Sequence, residues 1–191
     1  LLFLATDAGA GPRDGVEARL GNHFAAVAAH AVGALVDPPE RLFDGLQDLG
    51  VGLLQLQLND QIGMTYDNLI KLSLRHRPDL LIIGEIRDKE TARAVVRASL
   101  TGVTVFSTIH AKSVRGVYER LLELGVSEEE LKIVLQGICY QRLIAGGGVV
   151  DFATENYQEH SASRWNQQMD LLAQSGYIQL AQAQAEKIIY R

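Results

Sequence analysis

The chain has 191 residues with 18 Lys+Arg, 23 Asp+Glu, five His, one Cys and one Trp, for a net charge of −5. Apolar residues at 47% supply a sizeable core and exclude a natively disordered chain, and charged residues at 21% are an ordinary globular share. The single Cys139 excludes an intramolecular disulfide framework and a multi-cysteine zinc site, so no metal ligands are assigned and a reducing compartment fits.

Charge is unevenly spread. Residues 1–70 carry three Arg, no Lys and nine acids, whereas residues 71–191 carry 15 basic and 14 acidic groups. Neither half has the basic face of a nucleic-acid binder, so no direct nucleic-acid contact is expected. No apolar run reaches the roughly 18 residues of a membrane span. Leu1-Leu2-Phe3-Leu4 lacks the length and basic flank of a signal peptide, and the start on Leu1 reads as part of a longer protein.

In chain order, Leu1–Ala5 reads as a short buried strand, followed by a loop holding Gly9, Gly11 and Pro12. Val16–Ala31 reads as a helix, and Ala34–Val36 as a strand stopped by Asp37-Pro38-Pro39, since proline removes a ladder donor. Leu54, Leu56 and Leu58 alternate with Gln55 and Gln57, the pattern of a half-buried strand. Thr65 caps a helix to about His76. Leu80–Ile83 is a continuous apolar run between Pro78 and Gly84, the mark of a central parallel strand.

Asp88 caps the next helix, Val103–Ile109 is a second buried strand, and Ser113 opens a helix ended by Gly125. Ser127 and Glu130 have capping-box spacing, and the helix they start is expected to run to about Leu143. Gly146–Gly148 is a turn, Val149–Thr154 a strand, and His160–Ser163 a polar linker. Arg164–Gln174 and Ile178–Tyr190 read as helices broken at Gly176. The alternation predicts an α/β fold with a largely parallel sheet and helices on both faces.

In such sheets ligands sit beyond the carboxyl ends of the strands. Glu85 stands at one such end. It can orient a magnesium-bound water, or it simply pairs with Arg87 or caps the next helix, and the pattern alone weighs these equally. His110 ends the neighbouring strand, where an imidazole can sense phosphate or bond the carboxylate. On spacing alone a structural histidine is the commoner case. Arg75 and Arg77 precede the Glu85 strand, where guanidinium groups can stabilise phosphoryl charge or form surface salt bridges, the latter being favoured in isolation.

The stretch Leu74-Arg75-His76-Arg77-Pro78-Asp79, then Leu80–Asp88, Glu90-Thr91-Ala92 and Thr101–Lys112, resembles the secretion ATPase family of type II secretion, type IV pilus assembly and competence. Leu56-Gln57-Leu58-Asn59 and Tyr140–Ile144 look most like its Gram-positive competence branch. The resemblance implies a RecA-like P-loop NTPase core, flanked by helices, with a C-terminal helical appendage. It implies ATP and Mg2+ as cofactors and a homohexamer on the cytoplasmic face of the cell membrane. The motor would act on a polytopic membrane platform protein, and indirectly on a pseudopilin system used for DNA uptake. Glu85 matches the family's Walker-B-type glutamate, His110 the second histidine of its His box, and Arg75 an arginine that reaches the nucleotide. Three segments follow: 1–55 with the phosphate loop and Asp box, 56–145 as the core, and 146–191 as a C-terminal hairpin and helical region.

The first segment departs from the family. A working loop reads G-x-x-x-x-G-K-[ST], with backbone amides and lysine on the phosphates and a hydroxyl on magnesium. Here Thr6 stands for the first glycine, Gly9 and Gly11 fit a phosphate cradle, Pro12 replaces the lysine and Arg13 the hydroxyl residue. Asp7 adds a charge that, at ~4 Å from a phosphate in a partly screened site, repels by about 4 kcal/mol. The family's Glu-Asp-Pro-x-Glu box reads Val36-Asp37-Pro38-Pro39-Glu40, which leaves Asp37 and Glu40 as acids near the nucleotide but loses the proton acceptor at Val36. Decay, or a compensating frame slip between about Asp7 and Leu53, ranks above rescue of the loop by Arg13. Weak ATP turnover is therefore expected, and a non-catalytic hexamer or platform adaptor is the alternative.

Overall fold

The computed structural model describes residues 2–6, 31–35, 52–56 and 64–190, with the strands before residue 56 as backbone only. The expected helix over 16–31 lies outside these residues, except for Ala31, which starts a strand. The described strands are β1 (Leu2–Thr6), β2 (Ala31–Leu35), β3 (Gly52–Gln55), β4 (Leu80–Ile83), β5 (Thr104–His110), β6 (Gly137–Ile144) and β7 (Gly147–Ala153). Among them one sheet runs in the order β3-β2-β4-β5-β1-β6-β7. Every pairing is parallel except the β6–β7 hairpin. All four residues of β4 are buried, as a strand covered on both faces requires.

Local chemistry places the helices where the sequence sets them. Thr65 caps α1 (Tyr66–Arg75) by accepting from the Asn68 amide at 3.4 Å, and Asp88 caps α2 (Lys89–Leu100) by accepting from Thr91 at 2.8 Å. Ser113 caps α3 (Val114–Glu123) through the Gly116 amide at 2.9 Å. Each such bond satisfies one orphan amide and is worth about 1 kcal/mol. α3 ends on Gly125 at φ +83, with the Val126 amide on the Leu121 carbonyl at 3.1 Å and the Gly125 amide on Leu122 at 2.9 Å. That closure needs a left-handed residue, hence glycine.

The capping box at Ser127 forms reciprocally with Glu130, but the helix it starts, α4 (Glu128–Val134), stops nine residues short of the expected Leu143. Residues 137–144 are β6 instead. Leu131, Val134, Leu135 and Ile138 keep helical spacing across the break, which is why the helix reads as continuous. Pairing decides otherwise. β6 gives β1 its second parallel neighbour and turns back through Ala145 (φ 48) and Gly146 (φ 81) into β7. Two positive-φ residues make the type I′ turn that matches strand twist. The boundary expected at residue 145 falls on this turn.

The remaining helices are α5 (Ser163–Gln174) and α6 (Leu180–Glu186), the latter shorter than the expected run to Tyr190. All six described α-helices contribute to one apolar cluster with Leu81, Ile83, Val105, Ile109, Ile138 and Tyr140 of the sheet. Trp165 is fully buried, its ring 4.9 Å from that of Tyr140, and its indole N–H donates to the Glu186 carbonyl at 2.8 Å. The stretch 160–163 is anchored rather than linker-like: His160 Nε2 lies 3.0 Å from Oδ2 of Asp151, a fully buried acid on β7.

Burial foremost, then the Asp151 charge, pushes the Cys139 thiol from 9.0 up to about 11. The folded pKa lies above the unfolded one, so the thiol's contribution is whole below the unfolded value and fades as pH rises through the folded one. Urea denaturation of the wild type and Cys139→Ala should therefore differ by a constant amount below pH 9, and the wild type should lose ground between 9 and 11. A constant difference across that window would contradict the thiol's burial.

Candidate functional site

β4 and β5 are parallel neighbours whose last registered pair is Ile83 and Ser107. Glu85 lies two residues past Ile83 and His110 three past Ser107, so both emerge at the carboxyl edge of the sheet. There His110 Nε2 lies 3.2 Å from Glu85 Oε1. Arg87 reaches the other oxygen, with Nε and an Nη each 2.7 Å from Oε2. The expected pairing of Glu85 with Arg87 is present, and the His110 imidazole meets its other oxygen. It does not cap the following helix, because Asp88 does. The Glu85 side chain is 20% exposed and that of His110 51%, so solvent-borne groups can reach the pair.

Two further bonds hold the loop between β4 and Asp88. The Thr108 hydroxyl donates to the Gly84 carbonyl, and the Ile86 amide donates to the Thr108 carbonyl at 2.9 Å. Sequence reasoning missed Thr108. The available signal was a hydroxyl residue two places before His110, on the strand beside a glycine-led loop.

Neighbouring strands bring more chain to this edge. Thr6 of β1 is registered with His110, and Leu35 of β2 with Ile83. β1 and β2 therefore end, at Thr6 and Leu35, on either side of the Glu85–His110 pair. The candidate residues Gly9, Gly11, Asp37 and Glu40, with Pro12, Arg13 and Val36, lie outside the described residues. Arg75 is exposed at the last turn of α1, five residues before β4 begins. It approaches the amino end of the strand whose carboxyl end leads to Glu85.

The donor set can be tested against magnesium. Among the described residues no group of three or more His, Cys, Asp or Glu could hold a metal ion. Glu85 is a hard oxygen donor beyond a strand end, already shared by His110 and Arg87. This suits an ion that brings its own waters and phosphate oxygens, and does not suit one caged by protein alone.

A helix-covered parallel sheet in which four adjacent strands end at one edge is a RecA-like α/β core. Solved structures share it. The pilus retraction motor PilT with bound ADP matches with a TM-score of 0.74 at 23% identity, over 97% of this chain and 60% of that one. The ATPase DotB of Legionella pneumophila matches with a TM-score of 0.71 at 18% identity, over 96% and 59%. The sequence signature of the type II/IV secretion system protein family matches residues 44–175, and the chain belongs to that family.

Among curated relatives, competence protein ComGA of Streptococcus pneumoniae (strain ATCC BAA-255 / R6) is 77% identical over 138 residues, 72% of this chain and 44% of that protein. ComGA of Bacillus subtilis (strain 168) is 41% identical over 54% of this chain and 29% of its own length. Type II secretion system protein E of Xanthomonas campestris pv. campestris is 41% identical over 49% and 16%. The chain spans less than half the length of these relatives.

Proposed function

We propose that the chain is the RecA-like part of a motor ATPase that drives competence pseudopilus or type IV pilus assembly, and through it DNA uptake, with turnover weakened in this polypeptide. The observation that carries the reading is the Glu85 carboxylate 3.2 Å from the His110 ring at the carboxyl edge, in a chain 77% identical to a competence protein over 138 residues. Magnesium bound with ATP supplies positive charge to the phosphates. Glu85, held from two sides by His110 and Arg87, orders water at the edge. His110 registers the nearby phosphate through its half-exposed ring. The Gly9 and Gly11 backbone is assigned to the phosphates, and Asp37 and Glu40 to the nucleotide region, whereas Arg75, at the amino end of β4, is assigned to a nucleotide held by a neighbouring subunit. The strand register that ends β1 at Thr6 and β2 at Leu35 on this edge supports the assignment of the two glycines and the two acids.

The motor acts as a homohexamer against a polytopic membrane platform protein, with pseudopilins moved indirectly and no nucleic acid touched. Its place is the cytoplasmic face of the membrane. Among the described residues no helix is long and apolar enough to cross one. Segments 1–55, 56–145 and 146–191 keep their roles as phosphate-loop, core and C-terminal regions.

Phosphate release by the purified chain with magnesium-ATP tests the reading: a slow rate, lost on Glu85→Gln, is expected. A rate insensitive to that change would overturn Glu85's role. The second reading, a non-catalytic adaptor, is favoured by Pro12, Arg13 and Val36, and by a family match that starts only at residue 44. Absence of a melting shift at millimolar magnesium-ATP would select it, because a ligand that binds only the folded state must raise stability.

A further inference from the structure

Thr108 makes two bonds to the loop that carries Glu85, and they fall on the residues at either side of it. The hydroxyl donates to Gly84 O and the carbonyl accepts from the Ile86 amide at 2.9 Å. Beyond Ile83 and Ser107 the registered β4–β5 ladder has ended. Gly84, with no side chain, leaves the backbone freest immediately before the acid. A hydroxyl bonded to that residue's carbonyl removes this freedom where it would otherwise displace the carboxylate. The same strand then delivers His110 two residues later, so one element fixes both members of the pair.

We propose that Thr108 is a positioning residue that holds the Glu85 backbone so that its carboxylate meets the His110 ring. Its effect on turnover rests on the ATPase reading above; its effect on the loop does not. Thr108→Val removes the hydroxyl at nearly constant shape, Thr108→Ala removes it without the added methyl, and Thr108→Ser keeps it. The test joins hydrogen exchange, read residue by residue, to magnesium-ATP kinetics.

With the hydroxyl gone, the Ile86 amide should exchange about fivefold or more faster, the scale of one lost hydrogen bond, while the core amide of Met169 does not change. The kcat should fall about tenfold with KM nearly constant, as expected when a reacting group is misplaced rather than binding lost. Thr108→Ser should restore both. Faster loop exchange in a wild-type background that hydrolyses no ATP would support the positioning role and defeat the ATPase reading. Unchanged exchange at Ile86 in both Val and Ala variants, or a Ser variant as loose as they are, would overturn the proposal. If Val fails to fold, the Ala and Ser pair decides.

Discussion

Replacing Trp165 with alanine is expected to lower the unfolding free energy by about 3–5 kcal/mol, the range for deleting a large buried aromatic side chain. The indole is fully buried and packs edge-tilted on Tyr140, the inward residue of β6. Its N–H also holds the Glu186 carbonyl at the end of α6. Around that contact run other ties: Arg142 to Glu186 at 2.5 Å, Lys187 to Asp170 at 2.7 Å, and Asn166 bonded to both backbone groups of Ile188 at 2.8 and 2.9 Å. Removing the ring therefore opens a cavity and frees a strap. Urea titration measures the loss, which is large against the 5–15 kcal/mol typical of a domain. Trp165→Phe keeps the ring contact and should lose only about 1–2 kcal/mol, mostly the orphaned carbonyl. An alanine variant within 1 kcal/mol of wild type would show that the strap and sheet are not coupled through this residue, and the ~1 kcal/mol worth of a single bond sets that line.

Reinstating the phosphate loop should have the largest effect on activity. On the motor reading proposed above, Thr6→Gly, Pro12→Lys, Arg13→Thr and Val36→Glu together would return a backbone amide, the lysine, a hydroxyl for magnesium and an acid to activate water. Magnesium-ATP turnover should rise by at least about 100-fold, since single preorganised charge-stabilising groups are worth about 10²–10³ each. Adding Glu85→Gln to the restored chain should erase the gain. A restored chain as slow as the present one would mean that residues 7–53 fail for reasons beyond these four positions, as a slipped reading frame would produce.

Much of this was legible because it is local. Thr65, Asp88, Ser113 and Ser127 read as caps because a side-chain oxygen two or three residues before its amide needs no tertiary context. The buried run at Leu80–Ile83 declared a central strand, and the loaded ends of β4 and β5 brought Glu85 and His110 to one edge. What stayed hidden depends on distant partners. β6 resembles a continued helix until β1 and β7 are beside it. Asp151 looks like an ordinary strand acid until His160 folds back on it. Thr108 is one of many threonines until the loop beyond Gly84 lies across it.

The position of β1 has a consequence for synthesis. Its neighbours are β5 and β6, and Leu2 is registered with Phe106 and Gly137. Once made, β1 thus has neither of these partners until about a hundred further residues emerge, a wait of roughly five to twenty seconds at 5–20 residues per second. During that interval a short apolar segment is bare at both edges, and insertion between two strands must come late. The nascent chain is accordingly a candidate client for holding chaperones, and its refolding should be slow for its size because the pairing that completes the sheet is also its most distant.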